Sequence, residues 1–127
     1  MQRAAAQALQ VLRRFGGDAV DYDPATLQLL DEWIDRVGRT GPLPASARVL
    51  VIAFLGQTFL SRYGGYWATR RQGARQTLGV VCPVAGSLAR GRFIDIVEQA
   101  GRRLLHGIRD SLAFYFLSVS VDLQGRS

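Results

Sequence analysis

Among its 127 residues the chain has no lysine, one cysteine and one histidine. Each scarcity removes a class of protein. A lone Cys82 excludes a disulfide framework. Cys82 and His106 together fall short of the ligand set of a tetrahedral zinc site, so no metal and no cofactor are expected. No glycine pattern of the Walker or dinucleotide-binding type occurs. The most apolar stretch, Val49–Leu60, lies between Arg48 and Arg62. It is too short for a bilayer core of ~30 Å, so a buried helix is expected and no membrane association. No secretory leader is predicted, because no long apolar run lies among Arg3, Arg13 and Arg14. A cytoplasmic location is the expectation. Residues 1–17 lack acids, as transit peptides do, but they also make a good amphipathic helix, and the structural reading is preferred.

What is present is ordinary for one folded domain spanning 1–127. Hydrophobic residues make up 48% and charged residues 20%. A chain of this length buries roughly 65–70% of its unfolded surface. The formal charge is +6, and all 16 basic residues are arginine. A GC-rich genome explains arginine abundance without function, so the distribution is more informative. Residues 1–35 hold three Arg against six acids, while residues 36–127 hold 13 Arg against four. That polarity points to an anionic partner or an acidic protein surface.

Apolar spacing predicts a helix over Ala4–Phe15, stopped by Gly16-Gly17; with the loop after it, this makes an N-terminal unit of residues 1–22. Asp23-Pro24 has the cap and first-turn chemistry to open a second helix. Leu27, Leu30, Ile34 and Val37 are its buried stripe, with Asp31, Glu32 and Asp35 turned to solvent. Glu32–Arg36 and Asp35–Arg39 are i,i+4 pairs. A third helix, Ala45–Tyr63, is apolar on every side in its middle and carries Gly56, which a close approach by another backbone would explain. Tyr66–Thr69, Thr77–Val84 and Leu88–Arg92 read as short strands, with 70–75 as a hairpin loop. Pro83 argues that the second strand ends there or lies at an edge. Phe93–His106 is a fourth helix, with Val97, Gly101, Leu104 and Leu105 inward and Gln99 outward. Asp110-Ser111 suits the start of a last helix, whereas the alternation over 115–123 favours a strand, leaving 118–127 as strand or flexible tail. The fold class expected is α+β, mostly helical, with a small antiparallel sheet.

Several of these segments carry a resemblance: Phe54-Leu55-Gly56, Ser61 through Gly64-Gly65-Tyr66-Trp67, a β segment ending at Pro83, Phe93 through Val97, and His106-Gly107-Ile108-Arg109-Asp110-Ser111-Leu112. Over residues 24–117 the chain resembles a group of small bacterial α+β domains of unknown function whose central helix ends in Gly-Gly-x-Trp. The chain has Gln57 where an acidic residue often follows the central glycine of that group. The resemblance implies an α+β fold and a helix over 110–117, and it implies no catalytic residues.

Groups able to carry chemistry are sparse. Asp18, Asp21 and Asp23 read as capping residues, since the glycine and closing glutamate of a calcium loop are missing. Cys82 reads as a buried, inert thiol. His106 sits at a helix end, where imidazolium interacts well with the dipole, and a triad with Asp110 would need a serine aimed at it. The arginines are the remaining candidates. Arg70, Arg71 and Arg75 are expected near a hairpin tip beside Tyr66 and Trp67, with Arg102 and Arg103 extending the field. Guanidinium groups fit carboxylates and phosphates in a bidentate way, and aromatic rings can stack bases. The expectation is a non-enzymatic module that engages a protein partner through a basic surface. The alternative is an accessory protein that binds nucleic acid without sequence preference.

Overall fold

In the computed structural model, residues 2–17, 20–39 and 41–125 are described. The order of elements is α1 (Gln2–Gly16), α2 (Pro24–Gly38), α3 (Ala45–Tyr63), β1 (Tyr66–Gln72), β2 (Arg75–Val84), β3 (Ser87–Ile94), α4 (Ile96–His106), a 3-10 turn (Gly107–Asp110) and α5 (Leu112–Leu123). This is a mostly helical α+β domain with one antiparallel sheet in the order β1-β2-β3.

Local chemistry sets most boundaries. Asp23 accepts a hydrogen bond from the Thr26 amide at 2.8 Å, and Pro24 occupies the first turn of α2. Asp95 accepts from the Glu98 amide at 3.0 Å and caps α4. Asp18, the remaining member of the acidic cluster with Asp21, lies outside the described residues. In α3 the apolar side chains go all round, and Val51, Ala53, Phe54, Leu55 and Phe59 are fully buried. This helix is the axle of the fold: α1 and the sheet pack against it, while α5 lies mainly against α2. Phe59 meets Phe116 of α5 with ring centroids 4.6 Å apart, an offset contact that adds to area burial.

Gly56 does face a close neighbour, but it is a side chain and not a backbone. A Cβ at 56 would overlap the Trp67 indole, so the glycine makes the socket that seats β1 on α3. Of the arginine-rich stretch 70–75, residues 70–72 and 75 are strand and not loop. β1 and β2 pair from Tyr66↔Val81 to Gln72↔Arg75, leaving only Gly73-Ala74 as the turn. β3 joins β2 from Val80↔Ile94 onward, so Arg75–Gly79 have β1 as their only strand partner. Pro83 is in the central strand after all. It sits at the register shift between Cys82 and Val84, beyond the last pairing with β1, so its missing N–H costs the ladder little. Ala85 and Gly86 both have positive φ, as a two-residue hairpin turn with the strands' own twist requires.

Three further expectations are corrected. α4 begins at Ile96, and its inner face is Ile96, Gln99, Ala100 and Arg103, while Val97, Gly101 and Leu105 are exposed. Residues 112–123 are helix and not strand. The buried set Leu112, Ala113, Phe116, Val119, Ser120 and Leu123 follows helical spacing, and the alternation over 115–123 mimics a strand because the outward face also carries Phe114, Leu117 and Val121. Asp31 is not turned to solvent: it is 3% exposed. Among the described residues no helix is long and apolar enough to cross a membrane.

Candidate functional site

The β1–β2 ribbon places three arginines in the open. Residues paired across an antiparallel ladder share a face, so Tyr66, Arg70 and Arg75 lie on one side with Phe93, and Arg71 lies on the other. On the first face Gly79 leaves room for the Phe93 ring, and Arg70 lies over that ring at 4.4 Å from its centroid. The cation–π contact orients the guanidinium while leaving its charge uncompensated. Tyr66 is 55% exposed at the same face. None of Arg70, Arg71 and Arg75 forms an ion pair with a described residue. Between the ribbon and the first turns of α4 is an open cavity of about 430 Å³ lined by Arg70, Arg75, Thr77, Asp95 and Glu98. The Thr77 hydroxyl donates to Asp95 at 2.6 Å.

The other expected residues are elsewhere. Arg102 is ion-paired to Glu98 one turn away on α4. Trp67 is half-buried in the Gly56 socket, and its indole N–H is buried with no hydrogen-bond partner among the described residues; the ring packs the sheet on α3. Arg103 does not belong to any surface. It is 1% exposed and donates to Asp31 Oδ1 at 2.7 Å, to the Asp31 carbonyl at 3.0 Å and to Asp35 Oδ1 at 2.8 Å. Burial works against the charged guanidinium, but the hydrogen bonds and charges of Asp31 and Asp35 outweigh it and raise the pKa above its ordinary value.

Asp31 is the hub. Besides Arg103 it accepts from the Ser111 hydroxyl at 3.0 Å and from the Leu112 and Ala113 amides at 3.1 and 3.2 Å. A carboxylate from α2 thus occupies the N-terminus of α5, where free amides and the helix dipole favour negative charge. Ser111 in turn accepts from the Phe114 amide at 3.2 Å. Its hydroxyl is committed to Asp31, and His106 has Asp110 as partner, Nδ1 to Oδ2 at 2.7 Å, with no serine hydrogen-bonded to the imidazole among the described residues. Asp35 pairs with Arg103 in place of Arg39, and Arg36 lies over the Phe15 ring at 4.9 Å.

This hub left a signal in the sequence. Asp31 falls at i+4 from Leu27 and one residue past Leu30, on the apolar stripe itself, and Arg103 continues the inner series of Ile96, Gln99 and Ala100. An acid and a base at two inward positions of separate helices are the mark of a buried pair. Cys82 is buried, and burial pushes its thiol up to about 11. Among the described residues no three His, Cys, Asp or Glu side chains are grouped to hold a metal ion. A scan of protein-family models, a search of curated proteins and a search of solved structures return no match to the chain.

Proposed function

We propose that the chain is a non-enzymatic cytoplasmic binding module that recognises an acidic segment of a partner protein through the β1–β2 ribbon. One observation carries the reading: Arg70, Arg71 and Arg75 project from the end of the β1–β2 ladder that β3 does not reach, without an ion-pair partner among the described residues. Strand backbone fixes where each guanidinium starts, which favours bidentate capture of carboxylates. The same ribbon supports a second reading, since a two-stranded ribbon fits the major groove of DNA. The charge layout favours protein. Arg103 is buried, Arg92 and Arg102 are tied to Asp122 and Glu98, and two carboxylates share the cavity with Arg70 and Arg75. The ribbon itself carries three guanidinium groups, Arg70, Arg71 and Arg75, fewer than the many simultaneous contacts that follow a phosphate backbone.

The test compares the wild-type chain with the Arg70→Ala, Arg71→Ala, Arg75→Ala triple variant. Capture from native lysate, with the bound segment identified by cross-linking, is expected to yield a stoichiometric protein with an acidic contact region that the variant loses. Titration with labelled single-stranded and duplex DNA at two salt concentrations is expected to show no binding at physiological salt. Tight, strongly salt-dependent DNA binding that the triple variant loses would replace this reading with the second.

A further inference from the structure

A different face of the molecule has the opposite electrical character. The outward side of α5 carries Phe114, Leu117 and Val121 at i, i+3 and i+7, and Phe114 is 70% exposed. Ile108 of the 3-10 turn is exposed as well. Isolated apolar residues on a surface need no explanation, but an ordered stripe does. It borders a groove of about 380 Å³ whose opposite wall is α2, presenting Gln28, Asp31, Glu32 and Asp35 at i, i+3, i+4 and i+7. Behind this wall one guanidinium, Arg103, pairs with two of its carboxylates, Asp31 and Asp35, and Glu32 has no ion pair among the described residues. The groove lining therefore keeps a net negative charge after its internal pairing, with Glu32 exposed and Asp35 partly exposed; Arg36 and Arg39, which share a neighbouring cavity with these two acids, do not line it.

We propose that this groove docks a basic amphipathic helix of a partner protein, two turns of it seated between α2 and α5. Its apolar residues would lie on Phe114, Leu117 and Ile108, and its arginine or lysine side chains would reach Glu32 and Asp35. The length follows from the α2 wall: the seven-residue step from Gln28 to Asp35 spans about 10 Å, two turns of an α-helix. That is the helix-in-groove mode, read by anchors at i, i+3 or i+4, and i+7. A second copy of the chain is the poorer occupant. α5 contains no basic residue, and two copies packed antiparallel on α5 about a two-fold axis would set one carboxylate wall against the other. This proposal is independent of the ribbon, which takes a partner of the opposite charge.

The probes are two synthetic helical peptides with leucine at i, i+3 and i+7, one with arginine and one with glutamate at the flanking positions. Amide chemical shifts of the full chain are followed by NMR. The arginine peptide is expected to move signals of Gln28–Asp35 and Ile108–Leu117, and the glutamate peptide to move none. Glu32→Arg, at an exposed position, is expected to weaken the arginine peptide at least several-fold and improve the glutamate peptide. Leu117→Ser is expected to abolish binding of the arginine peptide while leaving the circular dichroism unchanged. Equal binding of the two peptides, shifts confined to other faces, or no shifts at all would overturn the proposal. So would sedimentation showing a wild-type dimer that Phe114→Ser converts to monomer, because the groove would then be filled by a second copy.

Discussion

Arg103 is the side chain on which most others depend. Its guanidinium holds the Asp31 carboxylate in place, and Asp31 holds the first turn of α5. Replacing a buried pair by apolar groups can be neutral, but removing one partner strands the other. Arg103→Leu is therefore expected to cost about 3–5 kcal/mol in urea unfolding, since Asp31 would be left charged in a dry site. Arg102→Ala, one residue away, is expected to cost under about 1 kcal/mol, because its pair with Glu98 is exposed. Similar losses for the two variants would mean that the hub is no hub. The contrast matters for reading the basic surface: adjacent arginines on one helix serve unrelated ends, and helical phase decides which.

The elements meet at a few specific seats, of which Gly56 under Trp67 is the clearest. Gly56→Ala would gain helix propensity of about 1 kcal/mol in an open helix, yet here the added methyl meets the indole. The expected outcome is a net loss of about 1–3 kcal/mol from overpacking, read in thermal unfolding, together with a change in tryptophan fluorescence. Stabilisation by alanine would show that Trp67 is not seated there. The starts of α2 and α3 were legible because Asp23-Pro24 and the run after Pro44 are local signals. The reach of the hairpin was not. Arginine and glutamine have modest strand preference, and 70–72 and 75–76 are strand because each of these residues finds a ladder partner across the two-residue turn Gly73-Ala74, which composition does not express. α5 was ambiguous because its helical face is apolar on both sides, so the period was masked. Of the arginines singled out by composition, Arg70, Arg71 and Arg75 project into solvent, whereas Arg103 is interior. The apolar groove escaped notice because its walls are separated by some eighty residues of chain and only the packing of α5 on α2 creates it.

At the scale of the whole molecule, one core joins residues of every helix and of the sheet, with Cys82 inside it. Burial raises the Cys82 thiol to about 11 from an ordinary 9.0, and burial also raises the Tyr22 and Tyr115 hydroxyls. These acids are held neutral in the folded state. Their contribution to stability is complete below the unfolded pKa and is lost as pH rises through the folded one. Unfolding free energy is expected to be insensitive to these groups up to about pH 9 and to fall between pH 9 and 11, and Cys82→Ala is expected to flatten that limb. Iodoacetamide should label native Cys82 far more slowly than the urea-unfolded chain at pH 8. Equal labelling rates would place the thiol outside the core.

The bond from Asp31 to the Ala113 amide joins residues 82 positions apart. On a ribosome adding roughly 5–20 residues per second, α2 emerges about 4–16 s before the segment that completes it. For most of that interval the Asp31 carboxylate lacks its Arg103 counterion, and throughout it the apolar helix α3 lacks the cover of α5. Translation products that stop short of α5 lack both the amide partners of Asp31 and the α5 share of the core, and are expected to be cut by protease faster than the full chain.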